Sequence, residues 1–307
     1  MIRIVCLCFK QGIALFANQT IRSQSKEGNY ITKIHLIQTG TVRIKADQLQ
    51  REGKGGIGKI LLSRNWSEWL PINAWVIEHA EGLMIVDTGE TARTSEPGYF
   101  PRWQPYFKLA VRTDVAPGQE IGPQMRDSGL KSESVSKAIL THLHTDHAGG
   151  INHFPKSEFL VSGDEFLNAR GFVGMLQGYL PHRWPNWFAP KSIKFEPKVF
   201  GPFDESFTVT EAGDVIIVPT PGHTPNHVSV IVKIDGVNYF LAGDTSYSED
   251  LLLRRHPDGV SQDPEIAVQT MDKILRYAEE EPTIYLPSHD PLSGDRLLHK
   301  QVLTPLG

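Results

Sequence analysis

The stretch "SKAILTHLHTDHAGG" (136–150) runs from an apolar strand pattern straight into three histidines and an aspartate within six positions. Side chains at alternate positions of an extended chain point to the same side. His142, His144 and Asp146 therefore project together where the strand "SKAIL" (136–140) enters its loop. His147 follows at once, and "AGG" (148–150) then lets the backbone change direction. Imidazoles and a carboxylate on two neighbouring bearings suit a pair of metal ions better than a single one. Four donors are too few for two ions, so the rest must come from elsewhere in the chain.

Three other places offer them. "TPGHTPNH" (220–227) holds His223 in a Pro/Gly turn after the strand pattern "DVIIVPT" (214–220). "VNYFLAGD" (237–244) ends on Asp244, and "YLPSHD" (285–290) carries His289 just after the short run "TIYL". Each sits at the carboxyl end of a strand, where open α/β architectures build their sites. Further strand patterns are "KIHLIQTGTVRI" (33–44), "AWVIEHA" (74–80), "LMIVDTG" (83–89), "EFLVS" (158–162) and "HVSVIVKI" (227–234). The clearest helix is "DPEIAVQTMDKILRYAEEE" (263–281), with Asp263 as N-cap, Pro264 at N1, and Ala267, Met271, Ile274 and Ala278 on one apolar face. Strands in two groups, each followed by helices, predict stacked sheets covered by helices on the outside. "GLMIVDTG" and "NYFLAGDTS" echo each other as apolar strands ending in an aspartate turn, which hints at two similar halves.

A chain of 307 residues is one large domain or two ordinary ones, and no linker rich in Gly, Ser or Pro divides it. A net charge of −4 gives no sign of a nucleic-acid binder, and no run of 18 apolar residues spans a membrane. Cys6 and Cys8 are too close in sequence to bridge comfortably, so metal chemistry must use histidines and carboxylates. "MIRIVCLCF" begins like a signal peptide, but Lys10 and Gln11 interrupt its apolar region. Residues 1–30 are expected to be an N-terminal extension, with a leader as the alternative; residues 31–307 form one hydrolase domain. The expected location is cytoplasmic, or periplasmic or secreted if residues 1–30 include a leader. "GKGGIGK" (53–59) imitates a phosphate loop, but Ile60 stands where the magnesium-binding Ser or Thr belongs. With no strong strand before it and no clear helix pattern after it, it is expected to be a mobile glycine loop.

"HLHTDH", followed by "TPGHTPNH", "GDTS" and "SHD", resembles the metallo-β-lactamase superfamily from about Ile31 onward. The resemblance implies an α+β fold, a four-layer αβ/βα sandwich with a dinuclear site in the cleft between its halves. It implies that His142, His144 and His223 hold the first metal, that Asp146, His147 and His289 hold the second, and that Asp244 bridges them. "VDTG" (86–89) resembles the early strand-turn whose aspartate, here Asp87, supports the metal-binding loop. True β-lactamases of the superfamily often carry a cysteine where Asp244 sits, which argues against antibiotic hydrolysis.

"GDTSY" (243–247), "DPEIAVQTMDKIL" (263–275) and "LPINAWVIEHAEGLMIVDTG" (70–89) resemble the N-acyl homoserine lactonase branch more closely. That likeness implies a quorum-quenching lactonase in which hydroxide at the dinuclear site attacks the lactone carbonyl. Tyr247 would point its hydroxyl at that carbonyl, and Asp146 would return a proton to the leaving alkoxide. Two zinc ions are the expected cofactors, and iron, cobalt or manganese suit the same donors. A small-molecule lactone is the expected partner, with no nucleic acid and no membrane span; a homodimer is open. Thr145 departs from the bulky aromatic that some of these lactonases carry between the ligands, so acyl-chain preference is not transferable.

The runner-up on the same site is a broader esterase, thioesterase or phosphotriesterase. A di-iron oxygen or nitric-oxide reductase would want a flavin domain for which this chain has no room. A nuclease would want a basic surface, and a pure binding module sits poorly with seven filled ligand positions. Trp66, Trp69, Trp103, Trp184 and Trp187 fall in non-periodic stretches. They either line a ligand pocket or form satellite core under long loops.

Overall fold

The computed structural model describes residues 32–51, 53 and 55–305. The expectations for residues 1–30, including Cys6 and Cys8, lie outside the described residues. Twelve strands form two sheets: β1 Lys33–Ile44, β2 Leu70–His79, β3 Gly82–Val86, β4 Val111–Asp114, β5 Val135–Ile139, β6 Glu158–Ser162, β7 Lys191–Ile193, β8 Phe207–Thr208, β9 Val215–Pro219, β10 Val228–Ile234, β11 Val237–Gly243 and β12 Thr283–Pro287. The first sheet runs β4-β1-β2-β3-β5-β6-β7 and the second β12-β11-β10-β9-β8.

Both faces of these sheets are covered, which is why the central strands read as nearly continuous apolar runs. Trp75, Ile77, Met84 and Val86 of the first sheet meet Val215, Ile217, Val230, Leu241, Ile284 and Leu286 of the second in a core between the sheets. The alternate residues point outward. Ala74, Val76, Ile85 and Ala138 pack with Ile121, Met125 and Ile151 on one side. Ile216, Val218, Phe240 and Tyr285 pack under Met271, Ile274, Leu275 and Tyr277 of the helix Pro264–Glu280 on the other. Helix, sheet, sheet, helix is the expected four-layer αβ/βα sandwich. Asp263 caps that helix by accepting from the Glu265 and Ile266 amides at 3.0 and 3.1 Å, and all four residues assigned to its apolar face are buried.

The echo between "VDTG" and "AGDTS" is structural. In the first sheet β1, β2 and β3 pair antiparallel and β3 pairs parallel to β5. In the second, β9, β10 and β11 pair antiparallel and β11 pairs parallel to β12. Asp87 and Asp244 thus occupy corresponding strand ends.

Three differences from the sequence reading have simple causes. The strands β4, β7 and β8 run only two to four residues at or beside sheet edges, too short to show a period. A helix, Ile57–Leu62, does follow the glycine loop. Strand β5 ends at Ile139, and Thr145–Ala148 is a short helix, so alternation carries His142 and His144 but not Asp146. Among the described residues no helix is long and apolar enough to cross a membrane.

Candidate metal centre

The loops at the carboxyl ends of β3, β5, β9, β11 and β12 converge at one edge of the inter-sheet core. His142 and His144 follow β5, and the first turn of the helix Thr145–Ala148 then turns Asp146 and His147 inward. That helix is fixed to the β3 turn. Asp87 Oδ1 accepts from the Thr141 amide at 2.8 Å, and the Thr88 amide and hydroxyl donate to the His147 carbonyl at 2.8 and 2.9 Å. Asp87 sits at φ 61, a left-handed conformation that aspartate tolerates. Gly149 and Gly150 permit the approach: a Cβ on Gly150 would lie 2.3 Å from the Thr88 carbonyl oxygen, and one on Gly149 2.5 Å from Glu90 Oε1.

The second sheet supplies the facing half. His223 lies in the β9–β10 connection, Asp244 follows β11 and His289 follows β12. His227, at the end of the same connection, accepts the Asp244 amide on Nε2 at 3.0 Å and thereby sets the β11 turn. Burial pushes the His227 imidazole down to about 3, so it stays neutral and able to accept.

All seven residues named from the sequence come together. Donor atoms of His142, His144 and His223 lie within 4.8 Å of one another, as do those of Asp146, His147 and His289 and those of His142, His147 and Asp244. Asp244 spans the groups: Oδ1 is 3.3 Å from His147 Nε2, while Oδ2 is 3.5 Å from His223 Nε2 and 3.4 Å from His289 Nε2. Asp146 faces His289 at 3.3 Å.

The outer nitrogens explain why this cluster suits cations. His144 Nε2 donates to the Gln177 carbonyl at 3.2 Å, and His289 Nδ1 to the Pro71 carbonyl at 2.8 Å. His223 Nδ1 donates to Asp258 at 2.7 Å and His147 Nδ1 to Asp87 at 2.8 Å. Each contact puts the proton outside and a lone pair inside. Three inner nitrogens, His142 Nε2, His144 Nδ1 and His223 Nε2, then meet at 3.0 Å spacings. Lone pairs so close repel unless a positive charge sits among them. His147 Nε2 and Asp244 Oδ1 are buried 3.3 Å apart without a hydrogen bond of good geometry to any group, as two ligand atoms aimed at a common ion would be.

The electrostatics agree. Burial opposes the Asp146 carboxylate, yet the His289 hydrogen bond and His147 hold it down to about 2. Asp244 is held well below its usual range because His289 and His147 outweigh its burial. Conversely, burial disfavours a charged His289, but Asp244 and Asp146 push it up to about 10, so that without a metal a proton on its inner nitrogen takes the cation's place. Burial and His223 drive His144 down to about 4. A buried carboxylate, Asp244, and a half-buried one, Asp146, attract positive charge, and five imidazoles are arranged to share it.

Tyr247 is buried beside the cluster, its ring stacked on His289 with centroids 5.4 Å apart. Burial and Asp244 raise its phenol well above the ordinary value, so it keeps its proton. Above His144, Asp146, His223, Asp244 and His289 opens a cavity of about 430 Å³, walled by Val42, Ile44, Phe107 and Val111. No tryptophan lines it. Trp184 stacks on Phe166 and Trp66 lies under Lys45, as packing groups, whereas Trp69, Trp187 and Trp103, the last stacked on Phe172, are exposed. Gly56 of the glycine loop and Ile57, the first residue of the helix after it, border the cavity instead.

Sequence reasoning missed Asp258, His227, Glu90, Gln48 and Tyr106. Asp258 reads only as an Asp-Gly turn, and His227 stood unassigned inside a quoted motif. The other three carry no local signal.

A mixed two-sheet sandwich with this His/Asp cluster at its strand ends defines a class. The chain belongs to the metallo-beta-lactamase superfamily, whose model matches residues 67–289, and it is by class a metal-dependent hydrolase. Among its relatives, N-acyl homoserine lactonase AttM of Rhizobium radiobacter is 23% identical over 273 residues, covering 84% of this chain and 93% of that protein. The fold is shared with an N-acyl homoserine lactone hydrolase solved with N-hexanoyl-L-homoserine at its catalytic metal center (TM-score 0.70, 20% identity, 85% of this chain and 94% of that one). It is shared too with AidC, a dizinc quorum-quenching lactonase in complex with a product (TM-score 0.60, 15% identity, 90% and 92%).

Proposed function

We propose that this protein opens the lactone ring of N-acyl homoserine lactones and so quenches bacterial signalling. The observation that carries the proposal is the Tyr247 phenol, held protonated beside Asp244 and His289 at the wall of an apolar cavity. A hydroxyl donor beside a His/Asp cluster fit for cations suits a carbonyl whose oxygen gains charge, and the apolar wall suits an acyl chain. Support also comes from relatives along most of the chain that are named as lactonases.

In this reading residues 31–307 are one hydrolase domain. His142, His144 and His223 would hold one ion and Asp146, His147 and His289 a second, with Asp244 lying between the two groups. Neutral imidazoles with carboxylates suit zinc best. When bound, such a pair supplies Lewis-acid polarisation and lowers the pKa of water to near 7. The chain's own groups do the rest. Val42, Ile44, Phe107 and Val111 hold the acyl chain and exclude water, Tyr247 donates to the developing oxyanion, and Asp146, a carboxylate at the outset, takes the proton of the attacking oxygen and passes it to the departing alkoxide.

The test is acid release from short- and long-chain acyl homoserine lactones by metal-loaded protein, set against a β-lactam and a glutathione thioester. Lactone opening should be much the fastest, with roughly two ions per chain by elemental analysis. A thioester rate equal to or above the lactone rate replaces this reading with a thioesterase; less than one ion per chain removes the dinuclear site.

A further inference from the structure

Tyr247 is not alone in the cavity wall. Its hydroxyl oxygen accepts from Gln48 Nε2 at 3.0 Å, and Gln48 Oε1 in turn accepts from the Tyr106 hydroxyl at 2.9 Å. Three distant segments supply the chain of contacts: the short helix Ala46–Leu49, the helix Pro105–Leu109, and the turn after β11. Gln48 is 3% exposed, and its backbone is tied as well, its carbonyl accepting the Gly259 amide at 2.9 Å. All three side chains line the cavity above the His/Asp cluster.

A primary amide has two unlike ends: its oxygen only accepts and its nitrogen only donates. The Tyr106 hydroxyl occupies the oxygen end, so the nitrogen end faces Tyr247. A phenol has one proton, and a phenol oxygen that accepts from an amide keeps that proton for a different partner. Among the described residues the Tyr247 hydroxyl meets no acceptor. The acceptor it lacks is what a substrate carbonyl brings.

We propose that Gln48 is a positioning residue for Tyr247: with its amide held by Tyr106, it donates to the Tyr247 oxygen and leaves the Tyr247 proton aimed into the cavity. The inference rests on the oxyanion role given to Tyr247 above. If the amide were turned over, Tyr247 would donate to Gln48 and its proton would be spent on the protein.

The test is a double-mutant cycle on metal-loaded enzyme, using whichever lactone or ester the wild type turns over fastest. Gln48→Leu removes both polar ends and shortens the side chain by one bond. Gln48→Glu puts an acceptor against the Tyr247 hydroxyl, so it should capture the proton. With metal content matching wild type, Gln48→Leu should lower kcat roughly tenfold with little change in KM, and Gln48→Glu more; an oriented oxyanion donor is worth about 10²-fold when lost outright. Tyr106→Phe, which only frees the amide to rotate, should cost less. In a Tyr247→Phe background each change should have less than about a twofold further effect, because nothing is left to orient. Equal losses in both backgrounds mean that Gln48 only supports the wall, and this overturns the proposal. Unchanged kcat in Gln48→Leu and Gln48→Glu overturns it too. If Tyr247→Phe itself keeps full kcat, the oxyanion role of Tyr247 falls and this inference with it; slow Tyr247→Phe with additive Gln48 losses removes this inference alone.

Discussion

Replacing Asp258 with Asn should damage metal binding while sparing the fold. Asp258 divides its two oxygens between two tasks. Oδ1 accepts from the Val260 amide at 2.8 Å, the Ser261 amide at 2.6 Å and the Ser261 hydroxyl at 3.1 Å, which shapes the loop. Oδ2 accepts from His223 Nδ1 at 2.7 Å. Asparagine retains an oxygen for the loop and presents an NH₂ group to the imidazole. That NH₂ cannot accept, so His223 must carry its proton on Nε2, the nitrogen that faces His144 Nδ1 at 3.0 Å. The inner lone pair is lost. Loss of such an orienting partner typically weakens metal binding about 10–100-fold, or about 1.4–2.7 kcal/mol. Competition with a chromophoric chelator should show that drop, while the metal-free melting temperature stays near wild type. Asp258→Ala should add a stability loss of about 1–3 kcal/mol, because it orphans the loop donors as well. Wild-type affinity in Asp258→Asn would refute the tautomer argument.

Gly150→Ala should unsettle the whole cluster, since its Cβ meets the Thr88 carbonyl at 2.3 Å and the backbone must move. A loss of about 1–3 kcal/mol by denaturant titration, with lower metal content, is expected, and wild-type stability would contradict the close approach. Glu90 gives a pH prediction. It is fully buried with Oε2 unpartnered, and burial together with Asp146 pushes its carboxyl up to about 8 from 4.5. A folded pKa above the unfolded one means stability that is complete below about 4.5 and lost as pH rises through about 8. Calorimetry of metal-free protein should therefore show the melting temperature falling more between about pH 5 and 8 in wild type than in Glu90→Gln; parallel profiles would be the contrary result.

The seven clustered donors were legible because each follows an apolar strand in a dense or Pro/Gly-marked motif. The sandwich was legible because strands buried on both faces cannot alternate with polar residues. What stayed hidden depends on distance along the chain. Gln48 meets Tyr247 across 199 positions and His223 meets Asp258 across 35, and neither Gln48 nor Asp258 looks unusual among its sequence neighbours. The tryptophans stood open between pocket wall and satellite core because a residue type alone does not place a loop side chain; the wall is Val42, Ile44, Phe107 and Val111. Asp146 was given the right position for an incomplete reason: a four-residue helix leaves no period to read.

The division of the cluster between the two sheets sets an order of events during synthesis. His142, His144, Asp146 and His147 leave the ribosome together on the first sheet, whereas His223, Asp244 and His289 belong to the second. At roughly 5–20 residues per second, His289 trails His147 by on the order of ten seconds. In that interval the nascent chain displays an open half-set of donors, and β12 has yet to pair with β11. The geometry that discriminates among metals is incomplete until His223, Asp244 and His289 take their positions with the second sheet. The metal found in the purified enzyme should thus reflect the ions present while it was made and the time allowed before closure, as well as equilibrium affinity.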